Sequence, residues 1–303
     1  MAEVSYKELP KIPALMDEYR NAVKDILPVV GSTRSAKDNP KTAFEVRGVK
    51  IDVPHLAAYC SATDLRLTNE LPLTYPYVLS FPIVMKVLTA PDFPFGAVGA
   101  VHLNNVIEQK RALTVDDVLD IKVHAENLRE HNKGLLIDLV TEITSGGEIV
   151  WRQVSGFLAK GAKLSSSSPL AGGEKTDGVI LPITELADPR PTANVRVTPS
   201  QIKDYAEASG DKNPIHVSGV GAKAFGFPAV IAHGMWSAAR LLATLEGEIP
   251  SAARYTVQFA KPVTLPANVA VFTEKAANGD WDVQLRKASK LDTVHAVAKI
   301  EQL

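Results

Sequence analysis

Asp211 and His216 stand five residues apart on either side of Asn213-Pro214. That spacing can support acid–base chemistry. An imidazole titrates near neutral pH, and a neighbouring carboxylate can orient its ring or hold a water molecule. In a continuous helix, residues five apart point about 140° away from each other. A break in the chain removes that constraint. Gly210 is a weak helix former and Asn213 precedes a proline, so a helix starting near Pro199 should stop here. Asp211 and His216 can then meet from opposite sides of a turn. Spacing alone also fits a solvated loop in which Asp211 caps a helix end and His216 is incidental.

A second cluster lies downstream. Gly226-Phe227-Pro228-Ala229-Val230-Ile231-Ala232-His233-Gly234-Met235 leads into an apolar segment read as a buried helix over about residues 230–245. A glycine near a helix N-terminus presents an unencumbered N–H in a region of partial positive charge. Gly234 is therefore an oxyanion candidate for a carbonyl acquiring enolate charge. His233 also reads as a hydrogen-bonded packing residue. His216 and His233 do not suggest a metal site, because the sequence offers no evident third ligand. The lone cysteine, Cys60, excludes an intrachain disulfide framework and a multi-cysteine zinc centre, and fits a reducing compartment.

The elements around these residues form a long repeat. The chain has 303 residues, enough for two domains, and its 46% hydrophobic and 22% charged content is that of an ordinary globular protein. With 33 basic and 34 acidic residues and no basic block, it lacks the signature of a nucleic-acid tail. No apolar run approaches the length of a membrane span or a secretory signal core. A cytoplasmic protein is the default expectation.

Residues 161–190 are rich in Ser and Gly and read as a linker. On each side an apolar alternation leads into a helix, with Asp52 or Thr198 as N-cap and proline in the first turn. Tyr59 and Tyr205 occupy matching places. Each half then has an apolar helix, over residues 77–89 and about 230–245, followed by four strands. The first four are expected near 99–109, 118–127, 133–143 and 148–159, and the second near 254–259, 269–275, 281–287 and 294–301. This is an α+β layer pattern. The expected organisation is an N-terminal extension (1–40, amphipathic and helical over 6–27 with interruptions near Pro10 and Pro13), a non-catalytic domain (41–160), the linker, and a catalytic domain (191–303).

Gly210-Asp211-x-Asn213-Pro214-Ile215-His216, followed by Ala232-His233-Gly234-Met235, resembles the hydratase signature of the MaoC-like proteins. These are the (R)-specific enoyl-CoA hydratases and the related 3-hydroxyacyl-thioester dehydratases. Pro72-Leu73-Thr74-Tyr75-Pro76, Ala125-Glu126-Asn127-Leu128-Arg129-Glu130-His131 and Phe259-Ala260-Lys261-Pro262-Val263 are similar to the double hot-dog dehydratases of mycobacterial type, implicated in long-chain fatty acid metabolism. The resemblance implies a double hot-dog fold, two antiparallel sheets each wrapped around a buried helix, present as a monomeric pseudo-dimer or a homodimer.

It also implies roles. Asp211 and His216 become the catalytic pair, and the Gly234 N–H polarises the thioester carbonyl. Asn213 orders the loop near the reacting water, and His233 joins it on the substrate-binding side. Lys261 meets a pantetheine or CoA phosphate, although an exposed lysine is usually just solvated. The implied reaction is reversible hydration of a trans-2-enoyl thioester to the (R)-3-hydroxyacyl thioester. CoA or acyl carrier protein carries the substrate, and no metal or organic redox cofactor is required. A hot-dog thioesterase and a non-catalytic acyl-thioester-binding scaffold are the competing expectations.

Matching the early helices sets Leu65 opposite Asp211 and Glu70 opposite His216, so the first half lacks the pair. Matching the buried helices sets Phe81-Pro82 near His233-Gly234, and proline has no N–H to offer.

Overall fold

Apolar alternation sets the strands, and proline and glycine punctuate the helices. The computed structural model describes residues 4–15, 34, 36–97 and 99–303. In chain order the elements are β1 (Lys7–Leu9), β2 (Phe44–Lys50), α1 (Val53–Thr63), α2 (Tyr75–Leu88), β3 (Val101–Gln109), β4 (Val118–His131), β5 (Gly134–Ser145) and β6 (Glu148–Lys160). There follow β7 (Ala193–Val197), α3 (Pro199–Ser209), α4 (Pro214–Val217), α5 (Gly219–Ala224), α6 (Gly234–Leu242), β8 (Ala253–Phe259), β9 (Ala267–Lys275), β10 (Trp281–Lys287) and β11 (Lys290–Gln302). A 3-10 turn, Ala243–Leu245, extends α6.

The chain divides into two compact units, and neither is continuous in sequence. One comprises Met1–Lys50, Tyr77–Asn104 and Asp117–Val179, and the other Ile51–Pro76, Asn105–Asp116 and Ile180–Leu303.

In the first unit β2, β4, β5 and β6 pair antiparallel in that order, and β1 adds to β2 in parallel. Gly146 and Gly147 form the two-residue loop between β5 and β6, with φ of 63° and 86°. Positive φ at both loop positions matches the right-handed twist of the flanking strands. The α2 helix is almost wholly apolar, with Ile83 and Val87 fully buried and Lys86 its one charge. A helix apolar on every side belongs inside a fold.

In the second unit the sheet runs β8-β11-β10-β9-β7, antiparallel throughout. Its inner face carries Tyr255, Val257, Val283, Leu285 and Ala296, all fully buried. The α6 helix packs on β10 and β11, and Tyr255 donates its phenol to the Ala238 carbonyl at 2.8 Å. The two early helices also pack together here. Their tyrosine rings, Tyr59 and Tyr205, lie 6.2 Å apart, and Trp236 on α6 donates to the α1 carbonyl of Ala62 at 2.9 Å.

The helix that leads to the candidate site is well defined locally. Thr198 accepts from the Gln201 N–H, and the Gln201 side chain accepts from the Thr198 N–H, closing a capping box with Pro199 in the first turn. Thr198→Ala removes one half of that box. It should lower the urea midpoint by an amount equivalent to about 1 kcal/mol, with an unchanged denaturant slope. An unchanged midpoint would mean that α3 is held by its tertiary contacts alone.

Three expectations are corrected. Residues 7–9 form β1, not helix, because their backbone groups have an unpaired partner strand in β2. The remainder of the expected helix falls largely outside the described residues. The second buried helix begins at Gly234 and not near Val230. Residues 230–232 are drawn into an extended segment, where Ala232 N–H donates to Val263 O and Leu265 N–H to Val230 O. Pro82 lies in the interior of α2, whereas Gly234 is the first residue of α6. The first turn of α2 contains Tyr75, whose N–H already donates to Pro72 O, and Pro76, which has none. The early-helix match holds: α1 and α3 both span eleven residues and end in left-handed C-caps at Asp64 and Gly210.

Candidate active site

The site is built from the end of α3. Ser209 is its last residue, and Gly210 follows with φ 72° and ψ −5°. Glycine adopts that left-handed conformation without steric cost, so the helix terminates there. The chain then folds through two nested side-chain turns. Asp211 Oδ1 accepts the Asn213 N–H at 3.2 Å, and Asn213 Oδ1 accepts the Ile215 N–H at 3.3 Å. Short acceptor side chains favour such turns. Asn213 is thus the N-cap of α4, with Pro214 in its first position. The bend expected from Asn213-Pro214 is present, and Asn213 orders it.

The α4 turn carries His216 against the extended segment. Ile231 N–H donates to Ile215 O at 3.1 Å, and His216 Nδ1 lies 2.8 Å from Ile231 O. A carbonyl can only accept, so Nδ1 carries the proton and Nε2 keeps a lone pair. His233 approaches from the segment's end. Its Nε2 lies 2.8 Å from the Asp211 carbonyl oxygen, which makes Nε2 the donor and leaves Nδ1 as an acceptor. The two imidazoles stack, with centroids 3.8 Å apart and planes 28° apart. Asp211, His216 and His233 each place a potential ligand atom within 4.8 Å of the others.

That cluster supplies the third group that spacing did not reveal, namely Asp211. The geometry still disfavours a shared ion. Ring lone pairs lie in the ring planes, and two nearly parallel stacked rings hold them side by side rather than aimed at one tetrahedral centre.

Burial sets the electrostatics. His233 is 2% exposed, while the Asp211 side chain keeps 19% of its surface open. Loss of hydration pushes His233 down to about 3, and nearby His216 adds to that, against the opposing pull of Asp211. His216 is also held below 6.5, first by desolvation, with Asp211 and the Ile231 carbonyl opposing. Both rings are therefore neutral at pH 7.

The sign of the pH dependence follows. The folded state keeps these groups neutral while the unfolded chain protonates them below about 6.5, so their contribution to stability is present above 6.5 and is lost as the pH falls towards about 3. Each such proton adds a slope of about 1.4 kcal/mol per pH unit. Urea denaturation between pH 7.5 and 5 should show a shallower loss for His233→Gln than for the wild type. Equal slopes would contradict a neutral buried His233.

Gly234 begins α6 immediately after His233, so its N–H has no intrahelical carbonyl to bond. A Cβ at this position would lie 3.2 Å from the Phe259 ring. A side chain there would press on that ring, which would have to give by a few tenths of an ångström. Lys261 is exposed; its N–H bonds Val294 O and its carbonyl accepts from His295. It precedes Val263, whose carbonyl takes the Ala232 N–H, so it flanks the ladder beside the site. Among the described residues, no side-chain hydrogen bond or ion pair ties Lys261 to the Asp211–His216–His233 cluster.

Spacing missed several supports. His55 on α1 donates through Nε2 to Ala208 O, at the end of α3, and accepts from the Tyr75 phenol at Nδ1, both at 2.8 Å. Gly221 on α5 has its Cα so close to the α4 turn that a Cβ would sit 2.6 Å from Pro214 Cβ. The glycine was visible in sequence, but its neighbour seven residues back on another turn was not. Cys60 is buried, and burial pushes its thiol up to about 11, so it is no thiolate nucleophile.

A hot-dog fold with a carboxylate and an imidazole gathered beside a helix N-terminus defines a class, and comparison with known proteins agrees. Residues 184–297 match the model of the MaoC like domain. The chain is 42% identical over 278 residues to the 3-hydroxyacyl-thioester dehydratase X of Mycobacterium tuberculosis, covering 92% of this chain and 95% of that one. The crystal structure of HtdX from the same organism superimposes with a TM-score of 0.74, over 86% of this chain and all of that one. A MaoC-like dehydratase from Phytophthora capsici, at 19% identity, shares the fold with a TM-score of 0.68 over 89% of this chain and 97% of that one. The chain belongs to the MaoC-like dehydratase family and has the α+β double hot-dog fold. Among the described residues no helix is long and apolar enough to cross a membrane.

Proposed function

We propose that the protein is a hydro-lyase of fatty acid metabolism that interconverts trans-2-enoyl and (R)-3-hydroxyacyl thioesters. The observation that carries this reading is the gathering of Asp211 and His216 with His233, the N-cap of α6, their polar side-chain atoms all within 4.8 Å of one another. The 3-hydroxyacyl-thioester dehydratase of M. tuberculosis, matched along almost its whole length, supports the substrate class.

Water is held by the Asp211 carboxylate and the neutral His216 Nε2. As its oxygen forms the bond to C3, the pair takes one proton, and the C2–C3 π electrons move onto the thioester as an enolate. The Gly234 N–H, backed by the α6 dipole, stabilises that oxygen charge. The proton is then returned at C2, which restores the carbonyl and completes addition of water. The proton stays with the pair as a unit. Dehydration runs the same steps backwards. Asn213 holds the bend and lies beside the reacting water. Lys261, exposed and flanking the ladder, meets a phosphate of a CoA or pantetheine carrier. Residues 41–160 and 191–303 are the non-catalytic and catalytic halves, joined by residues 161–190.

The test supplies a long-chain trans-2-enoyl-CoA and follows both loss of the conjugated double bond and release of free thiol. Loss of the double bond without thiol supports the hydratase. Thiol release without hydration would select a thioesterase, and binding without turnover a scaffold.

A further inference from the structure

We infer that His233 is a positioning residue that locks both members of the catalytic pair, and not a contact for substrate; this rests on the hydratase reading above. Three observations on one residue carry it. The Nε2–H of His233 donates to the backbone carbonyl of Asp211 at 2.8 Å, and that fixes the peptide from which the carboxylate projects. Its ring lies against His216, 3.8 Å between centroids, and so forms the floor on which the second imidazole rests. Its own backbone is the N-cap of α6, and its peptide bond to Gly234 supplies the oxyanion N–H. One buried residue thus links the carboxylate and the proton acceptor, through its ring, to the oxyanion donor, through its backbone.

Exposure decides between this role and substrate contact. His233 is 2% exposed. Its free ring nitrogen, Nδ1, is buried without a hydrogen-bond partner. A substrate-binding imidazole needs a reachable nitrogen, and here the one N–H is already committed to Asp211. Its geometry is reinforced by the neighbours. Tyr205 also packs on the ring, 5.0 Å between centroids with planes 55° apart, so two rings bear on His233. His216 in turn is anchored by the Ile231 carbonyl. Loss of the His233 clamp leaves both catalytic groups in place in sequence but free to drift by about an ångström, a displacement that can cost about 10²-fold in rate.

Two variants separate hydrogen bonding from shape. His233→Leu removes the donor and keeps apolar bulk. His233→Gln can place an amide N–H near the original Nε2 but cannot stack. The Leu variant should lower kcat by about 10²-fold with KM within about threefold, and the Gln variant should recover to within about tenfold of wild type. In the Gln variant the acid limb of the kcat–pH profile should move up towards 6.5, because water reaches the His216 face that the ring had covered. A rise in KM with unchanged kcat would identify a substrate contact and overturn the inference. So would a Gln variant no better than Leu.

Nitrogen NMR of the wild type keeps the test open if either variant fails to fold. His233 should remain neutral with its proton on Nε2, and His216 with its proton on Nδ1, at pH 7. The opposite tautomer at His233 would overturn the clamp. Wild type that folds with these tautomers yet does not hydrate enoyl thioesters would refute the proposed reaction and leave the clamp standing.

Discussion

Asp211→Asn should lower the hydration kcat by about 10²–10⁴-fold, and His216→Asn should do the same. The choice of asparagine isolates chemistry from scaffolding at both sites. In Asp211→Asn the amide oxygen can still accept the Asn213 N–H that closes the first turn, so the bend survives while the negative charge is lost. In His216→Asn an amide N–H can take over the bond to the Ile231 carbonyl, while the lone pair at Nε2 disappears. Alanine at position 216 would leave that carbonyl without its partner, a penalty of about 1–3 kcal/mol that confuses stability with rate. Circular dichroism and urea midpoints close to wild type, with kcat collapsed, are the expected pair of results. Near-normal turnover in either variant would remove that residue from the chemistry.

Gly234→Pro should cost about 10²–10³-fold in kcat, and Gly234→Ala much less. Proline is tolerated in the first turn of a helix, so α6 can still start there, but the N–H proposed to meet the developing oxyanion is gone. Both substitutions introduce a Cβ about 3.2 Å from the Phe259 ring. Alanine therefore measures the crowding alone, about 1–3 kcal/mol if the ring cannot shift. The ratio of the two kcat values, at matched stability, reports the N–H. Equal losses would assign the glycine to fit and deny it the oxyanion role.

The legible parts of this fold share a cause: their signals are local. The stop at Gly210 and the bend at Asn213-Pro214 follow from backbone preferences of single residues, and both occur where expected. The equal lengths of α1 and α3 made the match of Leu65 with Asp211 secure. Where partners come from afar the sequence was ambiguous. Val230, Ile231 and Ala232 are as apolar as the helix that follows, and only their bonds to Val263 and Leu265 make them extended. Residues 7–9 gain their structure from β2, more than thirty residues away. The match of Phe81-Pro82 with His233-Gly234 fails because an apolar helix repeats its pattern every turn and does not fix its own register. His55 carried no signal at all, since its target is the Ala208 carbonyl, and every residue has a carbonyl.

The site shows the same division. Asp211, His216 and Gly234 were visible as residue types at a spacing. The tautomers of His216 and His233, and the stack between them, depend on carbonyls and rings that only folding brings near.

A double variant gives the sharpest measurement. Residues that act on one water as a unit lose their joint contribution when either is removed. Turnover of trans-2-enoyl-CoA by Asp211→Asn/His216→Asn should therefore be no slower, within about threefold, than that of the poorer single variant. Losses that multiply across the two sites would show that the carboxylate and the imidazole work independently, and the shared water between them would have to be abandoned.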